Sequence, residues 1–156
     1  MCEDESSLQT TEVPYAERGV IAARRWIRLH LAGLVADKAL HDILICADEV
    51  VTNAYKHTKP NHDVADGDKI VIFLQWCAHT VRVDVFDNGS PDAIPMLRDS
   101  AASTTYGRGL RILDSLATQW GSYSSRNGGA VWFEFETRVK NSPQMDASIS
   151  PEAHRQ

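Results

Sequence analysis

The sequence predicts a two-layer α/β sandwich of the α+β class, with helices on one face of a mixed, mainly antiparallel sheet. Two helical patterns come first in the chain, and the spacing of apolar residues then changes from three or four to two. After this change, two strand hairpins flank one further helix. Because each helix has to bury its apolar stripe, helices arranged in this order pack best on one face of the sheet.

The first helical pattern runs from about Tyr15 to Gly33, and the second runs from about Asp37 to His57. Four arginines take much of the face opposite the apolar positions of the first pattern, namely Arg18, Arg24, Arg25 and Arg28. Gly33 is a suitable helix end, since glycine is common just past the last helical residue. The second pattern ends shortly before Pro60, which cannot continue a helix.

The strand patterns form two hairpins. Lys69 to Trp76 is an apolar run, and Thr80 to Phe86 alternates valine with charged residues. A loop of small and polar residues covers 92–106, and loops of this length are typical of lids and binding loops. A glycine-led helix follows. The last hairpin turns at 126–129, where Asn-Gly is a strong turn signal, and its alternation predicts one wet sheet face and one covered face.

The 156 residues suit one domain, which we expect over 12–138. Residues 1–11 are expected to be a flexible N-terminus, although the stretch from Leu8 to Val13 could add an edge strand. The polar stretch 139–156 is expected to be a disordered tail. Cys46 and Cys77 lie in apolar runs and are predicted to be buried thiols.

Composition also limits the class of function. The formal net charge of −5 argues against nonspecific binding of nucleic acid or of an anionic membrane, because both need a basic surface. No apolar run approaches the length of a membrane helix, and the acidic start does not resemble a signal peptide. Three scattered cysteines suit a reducing compartment. These features predict a cytoplasmic protein with no membrane contact and no direct contact with nucleic acid.

A polar stripe on the second helix is the first candidate site. In EVVTNAYKHT, the residues Glu49, Asn53 and His57 recur every four positions, so they lie on one side of the helix. A carboxylate one turn from an amide can deprotonate a hydroxyl and offer a hard oxygen ligand to Mg²⁺. The stripe taken alone also fits a solvated face with His57 near the helix C-terminus.

Two further motifs carry chemistry. Asp87 ends an alternating strand as part of Asp-Asn-Gly, which is either a turn or an acceptor carboxylate beside Gly89 that could meet an exocyclic amine. In YGRGLRIL, Gly107 and Gly109 lead into a helix, whose N-terminus can bind anions with the help of Arg108. A plain glycine-containing helix start fits this second motif as well.

These motifs occur in an order that resembles the histidine-kinase-like ATPase superfamily, known as GHKL or by its Bergerat fold. Within it, the chain is most similar to stand-alone anti-sigma factor serine/threonine kinases of actinomycetes. ADEVVTNAYKH is similar to the E-x-x-x-N helix box, DNG to part of the first glycine box, and GRGLRILDSLATQWG to the second glycine box and its helix. The resemblance covers residues from about 15 to 136.

The resemblance implies a role for each matching residue. Glu49 would be the general base or polarising carboxylate, and Asn53 would bind a Mg²⁺ that bridges the phosphates of ATP. Asp87 would accept a hydrogen bond from the adenine amine, with Gly89 beside it. The remaining nucleotide-binding set would be Thr105, Gly107, Arg108, Gly109 and Leu110. The implied partners are ATP or ADP, a sigma factor, an anti-sigma factor antagonist and a second copy in a homodimer.

One position departs from the resemblance. The first glycine box usually reads D-x-G-x-G, and Pro91 stands at its last position here. Proline fixes φ and has no N–H to donate. The sequence therefore leaves an alternative open, a nucleotide-binding regulatory module that acts by protein association without catalysis. A sensor-kinase catalytic domain and a simple ATP hydrolase are further alternatives.

Overall fold

The computed structural model describes residues 6–57, 69–87, 106–125 and 128–140. Its elements follow in chain order: β1 Ser7–Pro14, α1 Glu17–Leu31, α2 Asp37–His57, β2 Lys69–Trp76, β3 Thr80–Asp87, α3 Tyr106–Leu116, β4 Gln119–Ser125 and β5 Gly128–Glu136. The five strands form one sheet in the order β1-β2-β3-β5-β4, and every neighbouring pair is antiparallel. The predicted fold class is therefore confirmed, and the bounds of α2 and β2 are those predicted.

The core lies between the helices and one face of the sheet. On α1, the buried residues recur every four positions as Gly19, Ala23, Ile27 and Leu31, which is one face of a helix. The same pattern on α2 buries Ile43, Leu44, Ala47, Val50, Val51 and Ala54. The sheet contributes the inward side of its alternating strands, for example Ile70, Ile72 and Leu74 of β2 and Val81, Val83 and Val85 of β3. None of the helices in the described ranges is long and apolar enough to cross a membrane.

The ends of the domain differ from the prediction. Residues 7–11 belong to β1, which pairs with β2 along its whole length from Ser7↔Trp76 to Pro14↔Lys69, so the predicted flexible N-terminus is wrong there. The edge strand that the sequence allowed over Leu8 to Val13 is confirmed, since β1 lies at the edge of the sheet. Only Val13 of β1 is buried, and backbone pairing orders a strand that has almost no apolar alternation. Val139 is buried, and its N–H bonds to the carbonyl of Ala78, so residue 139 is part of the fold and not of a disordered tail.

The two cysteines in apolar runs have different states. Cys46 is a free and buried thiol, as predicted. Burial, followed by the negative charges of Asp42 and Glu49, raises the pKa of the Cys46 thiol to about 12. It therefore stays protonated at neutral pH and behaves as a small apolar side chain. Cys77 is buried but disulfide-bonded, so the prediction of a free thiol is wrong at that position.

The outer face of the sheet carries charges and aromatic rings together. Arg82 forms ion pairs with Asp84 at 3.0 Å and with Glu134 at 3.2 Å, and its guanidinium lies 4.3 Å from the ring centre of Trp132. Gly121 is the cross-strand partner of Trp132, and a Cβ there would come within 2.9 Å of the indole. The glycine therefore lets the indole lie flat on the sheet, as a packed part of the wet face that the sequence predicts.

A tight turn joins β1 to α1. The N–H of Ala16 donates to the carbonyl of Pro14 at 2.9 Å, and the N–H of Gly19 donates to the carbonyl of Ala16 at 2.8 Å. A Cβ on Gly19 would lie 1.9 Å from the carbonyl oxygen of Pro14, which is too close for any real contact. The missing side chain of Gly19 therefore sets how closely the end of β1 approaches the first turn of α1.

We expect Gly19→Ala to destabilise the fold. Alanine normally stabilises a helix relative to glycine by about 0.5–1 kcal/mol, so the sign would be reversed here by the clash with the Pro14 carbonyl. Overpacking of this kind costs about 1–3 kcal/mol, which urea denaturation can measure. Gly33→Ala is the matched control. Gly33 has a φ of 80° but open space around it, so alanine there should destabilise the fold only through the unfavourable backbone conformation and not through a clash. A Gly19→Ala variant at least as stable as the native chain would contradict the clash.

Candidate functional site

One end of the sheet collects the motifs that the sequence singled out. The strand registers place the end of β1 and the start of β2 together, since Pro14 pairs with Lys69. Asp87, the last residue of β3, pairs with Gly129 at the start of β5, and the end of β4 pairs there as well. Asp87 is half-buried. Its carboxylate therefore leaves the sheet at the end where β1, β3 and β4 finish.

The C-terminal part of α2 is tied to the same end. Tyr15, directly after β1, donates its hydroxyl proton to the carbonyl oxygen of Ala54 at 2.6 Å. Ala54 lies in the last turn of α2, and Asn53 directly precedes it. The stretch of α2 that carries the predicted stripe is therefore held next to the end of β1.

Helix α3 points back toward this end of the sheet. Only Ala117 and Thr118 separate α3 from β4, so the C-terminus of α3 lies where β4 begins, and Gln119 pairs there with Glu134. That is the opposite end of the sheet from Asp87. Helix α3 packs against α2 and β4, so we infer that its N-terminus is directed toward the Asp87 end.

The start of α3 suits an anion. The helix begins at Tyr106, so its first four residues are Tyr106, Gly107, Arg108 and Gly109. The first four N–H groups of any α-helix have no acceptor within the helix, and the helix dipole adds partial positive charge at this end. Phosphate groups are common ligands of such a helix start.

Glu49 and Asn53 lie at the border between core and solvent. Both are half-buried, and the neighbouring Val50, Val51 and Ala54 are fully buried. The negative charge of Glu49 acts on Cys46 and helps to raise the pKa of its thiol. A carboxylate in this position is partly shielded from water and still reachable by a ligand.

The donor set fits a Mg²⁺ ion that is held mainly by water and by a phosphate ligand. Mg²⁺ in nucleotide sites usually takes one or two protein oxygens and completes its shell from phosphates and water. The amide oxygen of Asn53 is a donor of this type. Within residues 6–57, 69–87, 106–125 and 128–140, no group of three His, Cys, Asp or Glu side chains could hold a metal alone. A closed all-protein metal cage therefore has no support in the described part of the chain.

An ion pair beside the stripe was missed by the sequence reasoning. Arg24 of α1 lies 2.6 Å from Asp48 of α2, and both side chains are about one-third exposed at 33%. The sequence placed Arg24 away from the apolar face of α1 but gave it no partner, and the contact arises because α1 and α2 pack against each other there. The other carboxylate oxygen of Asp48 is buried and has no hydrogen-bond partner in the described residues. Burial therefore raises the pKa of Asp48, although Arg24 and Arg28 oppose the shift.

Not every predicted site residue can be placed. The described chain contains Glu49, Asn53 and Asp87 with their side chains, and it contains the backbone of 107–110 at the start of α3. Gly89, Pro91 and Thr105 lie outside the described residues. Tyr15 was not predicted to be a site residue. Its position at the junction of a strand and a helix is visible in the sequence, but that position does not indicate which group its hydroxyl would contact.

The chain was compared with known protein families and with solved structures. The family model described as histidine kinase-like ATPase domain matches residues 13–135. A crystal structure of the RsbU and RsbW domains of Rv1364c from Mycobacterium tuberculosis is similar in fold, with a TM-score of 0.62 and 18% sequence identity. The match covers 86% of this chain and 33% of that one, so the chain spans about a third of that neighbour. No curated protein is significantly similar in sequence.

We expect Arg24→Met to destabilise the fold, because it leaves the Asp48 carboxylate half-buried without its cation. The loss of unfolding free energy should lie between the ~1 kcal/mol of exposed pairs and the ~3 kcal/mol of buried ones. Asp48→Asn in the Arg24→Met background is the control, since it removes the uncompensated charge and should restore part of the loss.

The stability lost in Arg24→Met should depend on pH, in a direction set by the pKa of Asp48. The folded-state pKa of Asp48 is already raised above its usual 3.8, and loss of Arg24 raises it further. The charged carboxylate therefore costs stability above that raised pKa, and the cost fades as the pH falls toward 3.8. Urea denaturation should show a larger loss for Arg24→Met at pH 7.5 than at pH 4.5. An equal loss at both pH values would mean that lost packing, not charge, is responsible.

Proposed function

Since the chain belongs to the histidine kinase-like ATPase domain family, we propose that it is an ATP-binding anti-sigma factor with protein serine/threonine kinase activity. Its substrate is an anti-sigma factor antagonist, and the chain regulates transcription by switching between that antagonist and a sigma factor. It acts as a homodimer. The choice of these partners rests on the resemblance of ADEVVTNAYKH and GRGLRILDSLATQWG to anti-sigma factor kinases.

The main support for the proposal is the position of Glu49 and Asn53 on α2. Glu49 and Asn53 are one turn apart on a half-buried side of α2, and α2 is tied through Ala54 to the sheet end that carries Asp87. Glu49 and Asn53 border the buried Val50 and Val51, so both polar side chains are only partly open to water. The position suits groups that act on a ligand bound against the helix layer.

Each residue has a part in nucleotide binding. Asp87 accepts a hydrogen bond from the exocyclic amine of adenine, which selects ATP over GTP because guanine has a carbonyl there. The N–H groups at the start of α3 bind phosphate oxygens, with Gly107, Arg108, Gly109 and Leu110 as the proposed contacts. Gly89 lies beside the base, and Thr105 completes the set of phosphate contacts. Asn53 offers its amide oxygen to Mg²⁺.

Glu49 acts on the hydroxyl group of the protein substrate. It accepts the proton of a serine or threonine hydroxyl while that oxygen attacks the γ-phosphorus of ATP. The new oxygen–phosphorus bond forms as the bond between the γ-phosphorus and the bridging oxygen breaks, and ADP leaves. Mg²⁺, when bound, neutralises the charge of the phosphates during this transfer.

A second candidate is favoured by one sequence observation. Pro91 stands where the resemblance expects the last glycine of the first glycine box, and proline has no N–H to offer to a ligand. The alternative is a nucleotide-binding regulatory module that works by protein association without phosphoryl transfer. The two candidates differ in the need for Glu49, because association alone does not require a base.

We expect Glu49→Gln to abolish phosphoryl transfer and to leave ATP binding nearly intact. Loss of a general base lowers the rate by about 10²–10⁴-fold, whereas the amide keeps the shape of the side chain. The measurement is transfer of ³²P from ATP to an antagonist protein recovered by pull-down with the native chain. Asp42→Asn is the control, since Asp42 lies on the same helix and, among the residues that the structure describes, forms its ion pair with exposed Lys38. Equal transfer by native chain and Glu49→Gln would overturn the role of Glu49.

We expect the native chain to bind Mg·ATP and the Asp87→Ala variant to bind it about 10–100-fold more weakly. A hydrogen bond to a charged acceptor contributes about 1.5–3 kcal/mol, which corresponds to this range. Isothermal titration calorimetry with ATP and with GTP measures both affinity and base selection. If the native chain binds ATP but transfers no phosphate, the regulatory module is the correct candidate. If it binds neither nucleotide, both candidates are wrong.

A further inference from the structure

The hydrogen bond between Tyr15 and Ala54 joins parts of the chain that are 39 positions apart. The Tyr15 hydroxyl donates to the Ala54 carbonyl oxygen at 2.6 Å in a partly buried setting. Helix α2 is described as far as His57, so the carbonyl of Ala54 lies in its last described turn. The phenol therefore ties this turn of α2 to the residue that directly follows β1.

Tyr15 is well placed to hold this bond because its own backbone is fixed. Pro14, just before it, is paired with Lys69 of β2, and the carbonyl of Pro14 lies against Gly19 of α1. Ala16, just after it, donates its N–H to that same carbonyl. The Tyr15 ring packs against the core cluster. The hydroxyl is thus delivered by a rigid turn and not by a free surface side chain.

We propose that Tyr15 is a positioning residue of the nucleotide site, which acts through Asn53. Ala54 directly follows Asn53, so a bond to the Ala54 carbonyl fixes the turn on which the Asn53 amide stands. Asn53 is four residues before His57, and the terminal turns of helices are the turns that fray most readily. This inference rests on the proposed function, in which Asn53 supplies an oxygen to Mg²⁺.

Because Asn53 is proposed to bind Mg²⁺, the property expected to change is the effect of Mg²⁺ on ATP affinity. If Tyr15 orients the Asn53 amide, loss of its hydroxyl weakens the contribution that Mg²⁺ makes to ATP affinity. Contacts to the adenine and to the start of α3 do not pass through Asn53, so metal-free ATP binding should be kept. General loosening of the fold would instead lower both affinities by the same factor.

The test compares the native chain with Tyr15→Phe by isothermal titration calorimetry of ATP, once with Mg²⁺ and once with EDTA. The gain in affinity produced by Mg²⁺ should fall about fivefold in Tyr15→Phe, which is the size expected for one neutral hydrogen bond. The affinity in EDTA should stay within about twofold. Thermal melting of both proteins fixes a working temperature at which each is fully folded.

Tyr55→Phe is the matched control. It removes a hydroxyl from α2 itself, next to Ala54, and the Tyr55 ring is half-buried as the Tyr15 ring is. No hydrogen bond of the Tyr55 hydroxyl is found in the described part of the chain. The gain from Mg²⁺ should therefore be unchanged in Tyr55→Phe.

The outcomes separate this inference from the proposed function. An unchanged gain from Mg²⁺ in Tyr15→Phe, with ATP bound normally by the native chain, overturns the positioning role and leaves the proposed function in place. Equal weakening with Mg²⁺ and with EDTA also overturns it, since that result means a purely structural role. Failure of the native chain to bind ATP under either condition overturns the proposed function, and the inference falls with it.

Discussion

The packing of α2 is the constraint on which the rest of the structure depends. This helix contacts α1, α3 and the sheet strands β3 and β5. With neighbours on so many sides it has one favourable rotation about its axis, which buries Ile43, Ala47 and Val50. A turn of the helix by one residue, about 100°, would move the Glu49 carboxylate toward the core, where an unpaired charge is very costly. Burial of the apolar residues of α2 thereby places Glu49 and Asn53 at the border between core and solvent.

The register of the sheet likewise fixes the position of Asp87. In β3, Val81, Val83 and Val85 point into the core, and Asp87 follows them at the same spacing of two, so it ends the strand on the face that packs against the helices. A slip of one residue would reverse this arrangement and expose the valines, which is why the register is strongly specified. Asp87 ends the strand at a fixed place opposite Gly129. The position of this carboxylate is thus a consequence of hydrophobic alternation several residues earlier.

Local sequence patterns were sufficient for most of the fold. The period of α2 and the following Pro60 predicted its bounds, and the alternation in β2 and β3 predicted their hairpin. β1 was harder, because Val13 is its only buried residue and pairing with β2 supplies its order. The stripe of Glu49 and Asn53 was ambiguous by itself, and its interpretation as a site came from the order of motifs and the family resemblance.

Contacts between elements distant in sequence could not be predicted. The Arg24–Asp48 pair joins residues 24 positions apart, and the Tyr15–Ala54 bond joins residues 39 apart. Nothing in an arginine-rich helix face tells which arginine meets a carboxylate, since that depends on how α1 lies across α2. The aromatic residue after β1 likewise gives no sign of its acceptor, because that acceptor is a backbone carbonyl, which every residue has.

These two contacts bracket the polar stripe. Asp48 directly precedes Glu49, and Ala54 directly follows Asn53, so the segment from 49 to 53 is attached at both ends to the β1–α1 part of the chain. Packing of apolar side chains sets the rotation of a helix but tolerates small shifts along its axis, whereas a 2.6 Å hydrogen bond does not. Two such bonds at either end of one helical turn and a half restrict both sliding and fraying there. Under the proposed function, the Glu49 carboxylate and the Asn53 amide act on one bound nucleotide, and an error of about 1 Å in their placement would cost a large factor in rate.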